Sequence, residues 1–123
     1  MTEILFLNEK QFDKTHTLTV GLNMDGHLVF DDGEYFPALD SHESYEVADY
    51  LTVHAGYKKR LLHLLGDVLD GVSETCGVND DERLLSILER AAHREYWKSL
   101  GEIEEWLQDR GIPFTKQRWV DTK

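Results

Sequence analysis

Eight carboxylates fall between Thr15 and Tyr57 in a stretch of 43 residues that holds no lysine and no arginine. They are Asp25, Asp31, Asp32, Glu34, Asp40, Glu43, Glu46 and Asp49. Residues 1–54 carry 11 acids against two bases, whereas residues 55–123 carry 13 against 11, so the formal net charge of −11 is almost wholly an N-terminal property. A field of this sign draws in cations and basic surfaces and repels nucleic acid and anionic lipid. Carboxylates can also work in pairs as general acid and base, but such a pair needs a defined separation and a shaped pocket, and spacing along a chain supplies neither.

Other chemistries find less support. Six histidines (His16, His27, His42, His54, His63 and His93) suggest metal binding, yet no two stand four apart, and there is no HExxH and no cysteine pair. His63 and Asp67 are so spaced, which reads as a hydrogen bond on a helix surface. Ser73, Ser86 and Ser99 lack a GxSxG setting, and Gly66 and Gly71 build neither a Walker nor a dinucleotide loop. We therefore expect no catalytic residue, no metal and no cofactor. Lys58-Lys59-Arg60 and the series Arg90, Arg94, Lys98 are small basic patches on an acidic chain, too little for direct nucleic-acid binding.

The acidic stretch also holds Tyr35, Phe36, Tyr45 and Tyr50. Carboxylates steer association and aromatic rings supply the contact area that holds a complex together. The candidate partner-binding set is accordingly Asp31, Asp32, Glu34, Tyr35, Asp40, Glu43, Tyr45, Glu46, Asp49 and Tyr50. The bland alternative is an acidic solvated face with the tyrosines packed inward.

The elements that must position these groups are legible in outline. Residues 3–7 form a short apolar run that suits an edge strand. From Leu18 the alternation of Leu18, Val20, Leu22 and Met24 with polar residues predicts a half-buried strand. Asp25-Gly26 then predicts a two-residue hairpin into His27-Leu28-Val29-Phe30, with Asp31-Asp32-Gly33 as its end. Residues 34–44, with Pro37, read as a loop. Tyr45 to Val53 reads as a strand with a bulge at Asp49, where alternation falters.

Helical spacing follows: Tyr57, Leu61, Leu64, Leu65, Val68 and Leu69, then a break over residues 71–78, then Leu84, Leu85, Leu88, Ala91 and Ala92 behind an Asn79 cap. Ser99 and Glu102 fit a capping box that opens a third helix burying Leu100, Ile103, Trp106 and Leu107. Gly111 suits its C′ position, Pro113 forbids continuation, and residues 112–120 predict a last strand. The order implies an α+β fold, a mainly antiparallel sheet with two to three helices on one face, in a single domain over residues 1–123.

At 123 residues and 41% apolar content the chain can build one real core. No apolar run is long enough to span a membrane. The start of the chain has an acid where a signal peptide needs bases, and the single Cys76 cannot form an internal disulfide, so a cytoplasmic setting is expected.

From Asp25 onward the layout resembles a loosely defined set of small bacterial proteins with no assigned function. The features are Asp25-Gly26-His27-Leu28-Val29, Tyr50-Leu51-Thr52-Val53 before a leucine-rich helix, Ile103-Glu104-Glu105-Trp106-Leu107, and Gly111-Ile112-Pro113-Phe114. In size, acidity and α+β order the chain also resembles immunity proteins of bacterial toxin systems, which cover a toxin, often a basic nuclease. That resemblance implies a non-enzymatic inhibitor of a basic protein partner. Two other readings compete. A phage DNA mimic would space its carboxylates like phosphates along an extended surface to block a nucleic-acid-binding host protein such as a CRISPR effector. A small enzyme would bring His42 or His54 together with acids in a pocket.

Overall fold

Among the described residues five strands pair antiparallel in sequence order, and three helices intervene before the last of them. The computed structural model describes residues 4–10, 14–37, 44–69 and 80–122. The elements are β1 (Ile4–Lys10), β2 (Thr15–Leu22), β3 (Leu28–Phe36), β4 (Tyr45–Val53), a 3-10 turn (Ala55–Tyr57), α1 (Lys58–Val68), α2 (Asp80–His93), α3 (Leu100–Asp109) and β5 (Thr115–Thr122). This is the α+β fold expected, with the helices packed on one face of the sheet.

Side chains alternate across a strand, so register decides which residues share a face. Val20, Phe30 and Leu51 stand opposite one another in β2, β3 and β4, as do Leu22, Leu28 and Val53. Phe30, Leu51, Leu28 and Val53 are fully buried there. Above them lie Leu61 and Leu65 of α1, Leu84, Ile87 and Leu88 of α2, and Ile103 and Leu107 of α3. We call this the covered face. Trp97, between α2 and α3, joins sheet to helices: its ring lies 5.9 Å from those of both Phe6 and Phe30 and 5.4 Å from that of Trp106.

Several expectations are corrected. β3 does not end at Gly33 but runs to Phe36, paired throughout with β2 and β4. β4 pairs without interruption from Tyr45 to Val53, so Asp49 marks no bulge; the irregularity lies in β1, between Leu5 and Leu7. The first hairpin turn spans residues 23–27 rather than two residues. The Asn23 side-chain oxygen accepts from the Asp25 and His27 amides at 3.0 and 2.9 Å, an Asx turn that leaves Met24 exposed at the tip instead of packed inward. Tyr57 belongs to the 3-10 turn and is exposed. The expected break at residues 71–78 and the Asn79 cap lie outside the described residues.

The helix ends follow local chemistry. Ser99 Oγ accepts from the Glu102 amide at 3.2 Å and caps α3, while the Glu102 carboxylate accepts from the Lys98 amide. Both α2 and α3 end in Schellman turns, with Tyr96 N–H donating to Ala91 O and Ile112 N–H to Leu107 O, each at 3.0 Å. The left-handed residue is Gly111 after α3 (φ 68°) but Glu95 after α2 (φ 52°). A side chain with a Cβ is strained in that region. Glu95→Gly should therefore stabilise the fold by about 0.5–1 kcal/mol and Gly111→Ala should cost about 1 kcal/mol, both read by urea unfolding.

Candidate protein-binding site

Among the described residues the helices do not reach the far end of the covered face. Beyond the core, the same parity continues as Asp32, Glu34 and Phe36 in β3 and Asp49, Val47 and Tyr45 in β4. Asp32 and Asp49 are direct cross-strand neighbours. Two carboxylates so placed repel unless cations intervene. His16 Nε2 pairs with Asp32 Oδ1 from the β2 side. On the β5 side Arg118 grips Asp49 through two bonds, Nε to Oδ1 at 2.8 Å and Nη2 to Oδ2 at 3.1 Å. Glu34 receives Lys14 Nζ at 3.0 Å. The Phe36 and Tyr45 rings stack 4.4 Å apart at the end of this ladder.

The Arg118 fork holds the Asp49 carboxyl below its ordinary value of 3.8, outweighing a smaller upward push from burial. A depressed carboxylate contributes stability above its unfolded pKa and loses it as pH falls through the folded one. Arg118→Ala should return the Asp49 titration towards 3.8 and move that acid loss to higher pH, visible as a shifted carboxylate carbon titration by NMR.

Among the described residues no helix packs on the opposite, open face, which carries Thr15, Thr17, Thr19 and Gly21 of β2, Val29, Asp31, Gly33 and Tyr35 of β3, Glu46, Ala48, Tyr50 and Thr52 of β4, and Thr115, Gln117 and Trp119 of β5. Across β2 to β5 the positions of this parity hold no lysine and no arginine, because Lys116 and Arg118 point to the covered side. Tyr35 and Trp119 are 40% and 46% exposed. Burial, reinforced by the nearby Asp31 and Glu46 carboxylates, raises the Tyr50 phenol above its ordinary value of 10.0, so it remains a neutral hydrogen-bond donor at physiological pH. A shallow cavity of about 170 Å³ lies beside it, lined by Thr19, Gly21, Val29 and Asp31 among others. Gly33 and Ala48, opposite each other, form a furrow between the Tyr35–Glu46 row and the Asp31–Tyr50 row, with Trp119 at its β5 end.

The sequence-derived set is thus divided by the pleat. Asp31, Tyr35, Glu46 and Tyr50 share the open face. Asp32, Glu34, Tyr45 and Asp49 share the covered side, where Lys14 and Arg118 already pair with Glu34 and Asp49 and the His16 ring with Asp32. Asp40 and Glu43 lie outside the described residues, as do His42 and Cys76. Trp119 was missing from the set. Its signal lay in the parity of the last strand, which places it beside Ala48.

Two histidines meet elsewhere. The His27 and His54 rings lie 4.4 Å apart beside a cavity of about 230 Å³ lined also by Thr52, Tyr57, Pro113, Phe114 and Thr115. Among the described residues no carboxylate belongs to that lining. The Ala55 amide donates to His27 Nδ1 at 2.9 Å and the Gly56 amide to His54 Nδ1 at 3.1 Å. Each neutral ring then carries its proton on Nε2, which leaves that nitrogen a donor and no lone pair for a metal. Among the described residues no group of three or more His, Cys, Asp or Glu could hold a metal ion, and no helix is long and apolar enough to cross a membrane.

Comparison of the chain with family models, with curated proteins and with solved structures gives no match.

Proposed function

We propose that this chain is a non-enzymatic acidic protein that binds and inhibits a basic protein partner through the open face of its sheet, in its most specific form as an immunity protein for a cognate bacterial toxin or nuclease domain. The observation that supports this reading is the sorting of charge across the sheet. The cations of β5 are turned to the covered side and spent on Asp49 and Glu104, while Asp31 and Glu46 stand on an open face with Tyr35, Tyr50 and Trp119. An acidic rim around exposed aromatic rings suits a basic surface: the charges speed encounter and the rings set the lifetime. The same sorting gives the DNA-mimic reading less to stand on, since the carboxylates of β3 and β4 divide between two faces instead of running along one.

The furrow gives the reading a local test. Its floor is two small residues flanked in register by Tyr35 and Tyr50, a setting in which a basic side chain would gain from aromatic faces. A Cβ at Gly33 would meet Thr17 Oγ1 at 3.5 Å, an ordinary contact, and its φ is not in the left-handed region. Gly33→Val should therefore fold at least as well as the parent, since valine favours strands, yet weaken partner binding at least about tenfold by filling the furrow. Calorimetry with the purified partner reads this, and undiminished affinity would count against docking on this face.

A further inference from the structure

We propose that β5 is a docking edge for a second copy of this chain, joining two five-stranded sheets antiparallel about a two-fold axis at Trp119. β5 is the last strand of the sheet and pairs only with β4. Its other side presents backbone N–H and C=O groups that meet no strand among the described residues. Such an edge templates further pairing unless a proline, a bulge, short length or outward charge protects it. β5 is eight residues long, has no proline, and keeps a continuous register with β4. The opposite edge differs: β1 is interrupted between Leu5 and Leu7.

The cations of β5 are each paired, and so partly neutralised, within their own chain, while their side chains stay 49% and 67% exposed. Lys116 Nζ lies 3.0 Å from Glu104 Oε2 on α3, and Arg118 is clamped to Asp49 on β4. Beside them on the strand Trp119 and Val120 are 46% and 55% exposed.

Symmetry selects the register. Two antiparallel edge strands are related by a two-fold perpendicular to the sheet, which keeps each face on its own side, so opposed residues must share parity. Centring the axis on Gln117 sets Lys116 against Arg118, and centring it on Arg118 sets two guanidinium groups together. Centring it on Val120 pairs only residues 118–122. Centring it on Trp119 pairs residues 116–122, places indole beside indole on the open face and sets Arg118 opposite Val120. Like charges across strands are avoided and a cross-strand aromatic pair is gained. This self-complementarity is what favours a second copy over a foreign strand. The joined open face would carry Asp31, Glu46 and Tyr50 twice, on either side of the two indoles.

Each copy carries a formal charge of −11, so the copies repel at long range and salt should strengthen this dimer, the reverse of its effect on a basic partner. Sedimentation equilibrium over about 5 to 500 μM protein, at about 50 and 500 mM salt, should show a monomer–dimer equilibrium that tightens with salt. Trp119→Lys sets two ammonium groups face to face at an exposed position and should weaken the dimer at least about tenfold with an unchanged circular dichroism spectrum. In a Cys76→Ser background, Trp119→Cys should oxidise to a covalent dimer. Gln117→Cys should not, because its two copies would lie about 13 Å apart along the strands. A monomer at every concentration and salt, or equal cross-linking at 117 and 119, would overturn the proposal.

Discussion

Replacing Asp31 and Glu46 together by lysine should slow association with the basic partner by about 10²-fold at low salt, with the difference shrinking as salt rises. Both side chains stand on the open face beside Tyr50, so each reversal removes an attractive charge and adds a repulsive one where the partner would approach. The charge-matched comparison is Asp31→Asn with Glu46→Gln on the open face against Asp32→Asn with Asp49→Asn on the covered side. The covered-side carboxylates are engaged by His16 and Arg118, and their loss should change acid stability far more than association. Stopped-flow mixing with the purified partner reads all three variants. If the covered-side pair slowed association as much as the charge-matched open-face pair, whole-molecule charge rather than a particular face would govern encounter.

Phe30→Ala should destabilise the fold by about 3–5 kcal/mol, a large share of the roughly 5–15 kcal/mol that holds a domain of this kind together. Phe30 is fully buried, stands between Val20 and Leu51 in the middle of the sheet, and meets the edge of Trp97 at 5.9 Å. Truncation there leaves a cavity where sheet, α2–α3 connection and helices meet, and close-packed neighbours relax only in part. Chemical unfolding monitored by tryptophan fluorescence would measure it. A loss below about 1 kcal/mol would mean that the core around Trp97 is far looser than its ring contacts indicate.

The helices and the α+β order were legible because amphipathic stripes and end signals agree: Leu61 and Leu65, Leu84 and Leu88, and the Ser99–Glu102 box all act locally. The extent of β3 was not. Alternation reveals a strand only where one face is buried, and past Phe30 the described helices no longer cover the sheet, so Asp31-Asp32-Gly33-Glu34 is polar on both sides and imitates a loop. Reading it as a strand end and loop merged Asp31 with Asp32, and the bulge expected at Asp49 merged that residue with Glu46, into one surface. Once β3 is known to run to Phe36 and β4 to keep its register through Asp49, parity alone separates them. The pairing of β5 with β4 depends on contacts between distant segments, as does the Asp49–Arg118 clamp, and neither leaves a local trace. Trp97 gave no warning of its central place because it lies in a connection without periodicity.

The most direct measurement is affinity capture of a native partner at low salt on three immobilised proteins in parallel: the parent, the Asp31→Asn/Glu46→Gln variant and the Asp32→Asn/Asp49→Asn variant, each first shown to be folded. The account predicts one basic protein held stoichiometrically by the parent and by the covered-side variant and depleted on the open-face variant. Equal retention of that protein by all three would contradict the assignment of binding to the open face.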